Sequence, residues 1–525
     1  MVIRTLLKRH AYYDSITLML LAQEIKKLDG VEDIGAVMAT PANLDLLHET
    51  HLLPANWLAL QDTAPEANDL LIAVRAVDDN HAENALQAAE QHLTARKKER
   101  ASSTPEKQAA RSLEIALRQN TDANLAVVAV AGEHAWLEAE QALRLGLHVF
   151  LFSDNVPVEQ EQRLKALAIE NGLLLMGPDC GTAVINGVGL GFSNVVPRGS
   201  VGIIGASGTG MQQVMCLLAA AGVGISQAIG TGGRDLSEEI GGVMMRHSLS
   251  LLAYDPQTSV IVLISKPPAP SVVQAILQDA AHVDKPVIII FLGADTQQFT
   301  DSSPNLSFAR TLTEGATLAG KVAGGNLERM PQARLSSDDV EKLAKIRSQL
   351  APSQRYLRAL YSGGTLCEEA MLLFSERVGP IASNIPLQPA WQLATNETFR
   401  GHTALDLGAD EFTRGRPHPM IDASLRLHYL NRAADDRETA LILLDIVLGF
   451  CAHADPASLY AAAIKAARQR AAAAGRILPV IVSLCGTEDD PQCLSRQRQQ
   501  LEAAGALVYE SNVAATLAAI ALLVE

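Results

Sequence analysis

An internal repeat constrains this chain more than any other feature. Around residue 200 an apolar run at 201–204 ends in Gly205-Ala206-Ser207-Gly208-Thr209-Gly210 and leads into 211–220, which is helical in pattern. Around residue 360 the run Leu360-Tyr361 ends in Ser362-Gly363-Gly364-Thr365 and leads into 367–374, again helical in pattern. The apolar run at 259–266 is echoed at 440–449, and Lys285-Pro286 with its following run is echoed by Leu478-Pro479 with its own. One order of elements used twice predicts two similar domains that face each other. A cleft between such domains is the default place for a ligand.

The repeat sits inside a longer alternation. Apolar runs of strand length at 125–130, 148–152, 201–204, 260–264, 287–291, 441–447 and 480–484 are each followed by an Ala/Leu-rich amphipathic stretch. That alternation is the mark of βαβ units and parallel sheets. Composition agrees, with 48% apolar but only 4% aromatic residues, a mix that suits α/β layers better than β-sandwiches. The fold class expected is therefore multidomain α/β with parallel sheets. A small α/β domain spans 1–95, a Rossmann-like domain 112–198, and two flavodoxin-like domains 199–325 and 355–525. The polar stretches at 94–105 and 326–354 read equally well as linkers or as solvated helices.

Charge narrows the functions open to the chain. Against 43 Lys and Arg stand 58 Asp and Glu, a net charge of −15. Sequence-blind nucleic-acid binding needs a basic face, so nucleic acid is not an expected partner. Small anionic substrates need only a local cluster of donors and remain open. Six cysteines (180, 216, 367, 451, 485 and 493) are scattered without C-x-x-C or paired histidine spacing, so neither a disulfide framework nor a metal site is expected. Residues 1–27 lack a signal-peptide core, and the longest apolar tract, 513–524, is shorter than the roughly 20 residues of a membrane span. The expectation is a cytoplasmic protein with reduced thiols and no membrane partner.

The two glycine turns, Ser207-Gly208-Thr209 and Gly363-Gly364-Thr365, each leave a strand and open a helix. Free amides and the positive dipole end favour an anion there, although the same residues also serve as plain turns and N-caps. Neither turn is a Walker A loop or a G-x-G-x-x-G. Gly232, Gly233 and Arg234 follow the next expected strand. The matching place in the second copy, 406–422, carries Arg414, Arg416 and His418 among four carboxylates. Guanidinium groups suit phosphate or carboxylate oxygens, and a histidine between two prolines suits proton transfer near neutral pH. A rigid salt-bridged cap is the alternative. Asp154-Asn155, the loop at 177–182 and Lys266-Pro267-Pro268 also follow strands. Cys180 has no histidine nearby in sequence, which favours a buried or cofactor-packing thiol over a nucleophile.

In this order the motifs resemble succinyl-CoA synthetase. Gly177-Pro178-Asp179-Cys180, the run from Gly202 to Thr209, Gly230-Thr231-Gly232-Gly233-Arg234 and Asp255-Pro256-Gln257-Thr258 resemble its α subunit, and the residues from Thr403 onward resemble the carboxy-terminal domain of its β subunit. Ser153-Asp154-Asn155-Val156, Pro178-Asp179-Cys180-Gly181-Thr182, Ala206-Ser207-Gly208-Thr209-Gly210 and the stretch from Gly415 to Asp422 resemble the FdrA family. Asp14-Ser15 and Thr40-Pro41-Ala42-Asn43 extend that resemblance toward the start.

The resemblance implies a CoA-binding type for the Rossmann-like domain and a succinyl-CoA-synthetase-like fold for the two that follow. It also exposes two departures. The synthetase carries phosphate on a histidine after the strand that corresponds to 287–291, whereas no histidine occurs here between His282 and His402. The chain also has no room for an ATP-grasp domain. What the resemblance leaves is acyl-phosphate chemistry, first of all carbamoyl transfer between carbamoyl phosphate and oxamate in ureide breakdown. An acyl-CoA ligase or a CoA-binding subunit is the alternative. On this reading Ser207, Gly208, Gly232, Gly233, Gly363 and Gly364 hold phosphate with Arg234 or Arg414. His418, Arg416, Thr209 and Thr365 are the catalytic candidates, and Pro178 and Cys180 contact CoA if CoA is bound. No cofactor is required, and other protein subunits are expected partners.

Overall fold

The structure is a computed structural model that describes every residue except 1, 12, 14, 51, 55–56, 59–62, 67, 103–109, 111, 295–302, 395–398, 414–416 and 525. The chain divides into two compact units, 1–116 with 411–417, and 117–410 with 418–525. In the first unit, three antiparallel strands lie in the order Val2–Lys8, Leu70–Ala76, Val31–Met38. The central strand alternates between two cores. Leu70, Ile72 and Val74 pack with Leu18, Leu21, Ala82 and Ala85, while Leu71 and Ala73 pack with Leu44, Leu47 and Trp57. Successive strand side chains point to opposite faces, so one apolar run serves both. Helix Asp79–Ser102 runs through much of the stretch at 94–105, which is therefore helical as far as it is described.

Among the described residues, the second unit contains three sheets. Leu125–Val128, His148–Leu151 and Leu175–Met176 form a parallel, Rossmann-like sheet. The next sheet runs Leu306–Phe308, Val287–Phe291, Val260–Ser265, Arg198–Gly205, Ile225–Gly230, then the hairpin Thr182–Ile185 and Val188–Gly191. The third runs Leu507–Tyr509, Val480–Cys485, Thr439–Val447, Tyr356–Tyr361, Thr403–Asp406, Ala382–Ser383. The first five strands of each follow one order, all parallel, as the repeat predicts. The hairpin adds antiparallel to the edge strand of the first copy, which sets residues 182–191 with that sheet and not with the Rossmann-like one.

The inner strands of both copies are buried along their whole length, as parallel sheets covered by helices on both faces must be. Helices Gly208–Ala220 and Gly364–Arg377 pack together, and their Met211, Met215, Leu366 and Ala370 belong to one continuous core. Within 326–354 lie a single 3-10 turn, Leu327–Arg329, and helix Ser337–Arg347, started by a reciprocal Ser336–Asp339 capping box. No helix among the described residues is long and apolar enough to cross a membrane.

Candidate functional site

Strands Arg198–Gly205 and Tyr356–Tyr361 each run into a glycine turn at their carboxyl ends, the position where open α/β sheets bind ligands. Strand Arg198–Gly205 ends in the first glycine turn, where Ser207 caps helix Gly208–Ala220 by accepting from the Gly210 N–H at 3.0 Å. The same hydroxyl donates to Thr365 Oγ1 of the second turn at 2.6 Å. Thr209 lies against Gly363, where a Cβ would come within 2.7 Å of Thr209 Oγ1. The two turns thus meet, and only a residue without a side chain fits at 363.

The second turn differs from the first in one respect that matters for anions. Ser362 N and Gly363 N donate to Asp445 at 2.8 and 2.9 Å, and Ser362 Oγ donates to both its oxygens at 3.1 Å. A protein carboxylate already takes these amides, and it pairs with buried Arg426 at 2.9 Å. The expectation that the Gly363 amide binds phosphate is corrected accordingly. On the first turn, the hydroxyl of Ser207 takes only the Gly210 amide of the opening helical turn.

Two charged side chains lie beside the second turn. A Cβ at Gly364 would lie 2.5 Å from Asp406 Oδ2 and 3.0 Å from Lys266 Nζ. Lys266 follows Val260–Ser265, and Asp406 closes Thr403–Asp406. Glu368, one turn into helix Gly364–Arg377, is raised above the usual carboxylate range by burial, an effect opposed by Lys266 and reinforced by Asp406. Lys266 has no hydrogen-bond or ion-pair partner among the described residues. Each of Lys266 and Asp406 ends an apolar strand run, and that position is the signal that identifies both.

Other expected site residues are engaged in the fold. Arg234 donates to Val156 O at 2.6 Å and pairs with buried Glu161 at 2.9 Å. Glu161 in turn pairs with buried Lys165, which pairs with Asp235 and donates to Thr231 O. Through Nη2 the guanidinium of Arg234 ties the loop of Gly232 and Gly233 to helix Val158–Glu170. His418 also differs from expectation. Burial, and secondarily Arg426, pushes its imidazole down to about 4, so it is neutral at pH 7. Its Nδ1 accepts from Met420 N at 3.2 Å, which leaves the proton on Nε2, beside Gly408. Proton exchange near neutral pH is thereby corrected to a fixed neutral imidazole. Arg414 and Arg416 lie outside the described residues.

The loop at 177–182 is tightly built against the one at 230–233. Gly232, at φ 91°, has its bare Cα against Pro178 O, and a Cβ at Gly230 would come within 2.5 Å of Cys180 Sγ. Burial pushes the Cys180 thiol up to about 12, so it is a packed thiol and not a nucleophile. All six cysteines are free.

Three stretches of the chain match known families, and the CoA-binding match lies at 197–293, not at the 112–198 expected to be of CoA-binding type. Residues 360–522 match the family described as CoA-ligase, and residues 197–293 the one described as CoA binding domain. Residues 1–112 match the one described as AllF, heavy metal-associated domain. YahF of Escherichia coli K12 is 41% identical over 512 residues, 98% of this chain and 97% of its own. The succinate–CoA ligase [ADP-forming] subunit alpha-2 of Trichomonas vaginalis is 25% identical over 241 residues, 43% of this chain and 77% of its own. PH0766 of Pyrococcus horikoshii, a solved structure, is 15% identical with a TM-score of 0.35, covering 80% of this chain and 87% of its own. The metal named for the first domain does not fit its donors. Residues 1–112 contain no cysteine, and no metal-holding group of His, Cys, Asp and Glu occurs among the described residues.

Proposed function

Because the chain belongs to the family of Escherichia coli YahF and carries CoA-binding and CoA-ligase domains, we propose that it transfers an acyl group from an acyl phosphate to the thiol of CoA. The observation that carries this reading is the meeting of the two turns at Ser207–Thr365, with Lys266 beside them. A phosphate there meets the Gly208 and Thr209 amides, the positive end of a 13-residue helix and one ammonium. Thr209 lies where a hydroxyl can support the phosphate or the carbonyl oxygen. The loops at 177–182 and 230–233, where glycines bring backbone together, form the wall for CoA, whose thiol is the nucleophile. Activating the acid with a nucleotide falls to another polypeptide, in keeping with the absence of a histidine between 282 and 402.

The likeness to the FdrA family gives the finer form of the reading, with carbamoyl phosphate as the acyl phosphate and oxamate as the acceptor. The full chain is incubated with acetyl phosphate and CoA, and separately with carbamoyl phosphate and oxamate, and phosphate release is followed. Release that depends on CoA supports acyl-CoA chemistry, and release that depends on oxamate supports carbamoyl transfer. Release that depends on neither acceptor overturns the proposal.

A further inference from the structure

The loop between Leu175–Met176 and Thr182–Ile185 presents a carboxylate that the fold does not use. Asp179 holds a left-handed backbone, φ 54°, which Asn and Asp tolerate better than other residues with side chains. Its N–H donates to Ser153 O at 2.9 Å, and its neighbours Pro178 and Cys180 are buried. Asp179 is exposed, and its carboxylate has no hydrogen-bond or ion-pair partner among the described residues. Thr182 of the same loop lies against the first glycine turn, where a Cβ at Gly208 would come 3.1 Å from Thr182 Oγ1. Gly233 faces it, and a Cβ there would lie 2.8 Å from Oδ2. The charged groups around it are Asp410, Asp154, Lys266 and Arg234. Arg234 is held by Glu161, whereas Lys266 stands beside Gly364.

Resting on the acyl-transfer reading, we propose that Asp179 is the general base that accepts the proton of the attacking thiol. The S–H proton passes to the carboxylate as the sulfur lone pair forms the C–S bond. The C–O bond to phosphate breaks, and phosphate leaves with that electron pair. Asp179 then returns its proton to phosphate or solvent. Desolvation, with Asp410 and Asp154 nearby, pushes this carboxyl up to about 7, where a base works well at neutral pH.

Asp179→Asn preserves size and the left-handed backbone. With acetyl phosphate and CoA, the variant should lose about 100-fold or more in kcat, together with the pH–rate limb near 7, at unchanged KM for acetyl phosphate. Full activity in the variant overturns the proposal. A second measurement needs no turnover. A carboxyl whose folded pKa exceeds its unfolded one stabilises the fold at low pH and loses that contribution as pH rises through the folded value. The Tm of the wild type should therefore fall relative to D179N between about pH 4 and 7 and run parallel above. Parallel curves throughout overturn the proposal. Diverging curves with an inert wild type uphold the proton-accepting carboxylate and count against acyl phosphate as its substrate.

Discussion

At the scale of the residue, Asp445 and Lys266 divide the two turns between structure and chemistry. Asp445 is fully buried, satisfies the amides of the second turn and neutralises Arg426. Removing one member of a buried pair leaves the other charge uncompensated, so Asp445→Ala should cost about 3–5 kcal/mol in urea unfolding. Unchanged stability would mean that the pair is not formed. Lys266 has no comparable structural duty. Lys266→Ala should leave the unfolding midpoint close to that of the wild type while lowering kcat/KM for acetyl phosphate by about 10- to 100-fold. That loss corresponds to about 1.5–3 kcal/mol for a hydrogen bond to a charged group. A variant with wild-type kcat/KM would remove Lys266 from the site.

At the scale of the element, the two helices that open at the glycine turns are joined at their first residues. Ser207 is both N-cap to its own helix and donor to Thr365 on the other. Ser207→Ala should therefore lose about 1 kcal/mol for the cap and about 1 kcal/mol for the bond. Thr365→Ala loses only the second. In a double-mutant cycle the two should couple by about 0.5–1.5 kcal/mol, read from denaturation midpoints. Additive effects would show that the turns do not touch in solution. Gly408 pins the neighbouring loop, because a Cβ there would strike Ser362 O and lie 2.7 Å from His418 Nε2. The imidazole is thus part of the packing around the second turn.

At the scale of the whole molecule, buried titrating groups set a pH window for stability. Burial pushes Glu369 up to about 7 from 4.5, although Leu312 N and Asn512 Nδ2 donate to it across three helices. The folded carboxyl keeps its proton where the unfolded one has lost it, so its contribution falls as pH rises through about 7. His402 and His418 act in the opposite sense. Burial, aided by Arg358 and Arg426 respectively, pushes both down to about 4 from 6.5, so stability is lost as pH falls through that range. Between about pH 4.5 and 6.5 the carboxyl and the imidazoles therefore act in opposite senses. Glu369→Gln should make the Tm rise more steeply with pH across that range, and His418→Gln less steeply. Thermal scans from pH 4 to 8 check both, and a variant that follows the wild-type curve would show that its group does not titrate as assigned.

The alternation of apolar runs determined the fold class and the matching strand order of the two copies. Element type follows from the local period of apolar residues, and that period is written in consecutive positions. It also placed both glycine turns between strand and helix. Tertiary structure alone decided which charges are free. Glu161 and Val156 hold Nη2 of Arg234, and the Gly363 amide reads as a donor until Asp445 takes it. His418 reads as a neutral-pH acid or base until burial fixes it in one form. Lys266 and Asp179 stand out for the converse reason, since no described neighbour pairs with them. A charge becomes available or spent through desolvation and partners brought from distant parts of the chain, and no local pattern records which partners arrive.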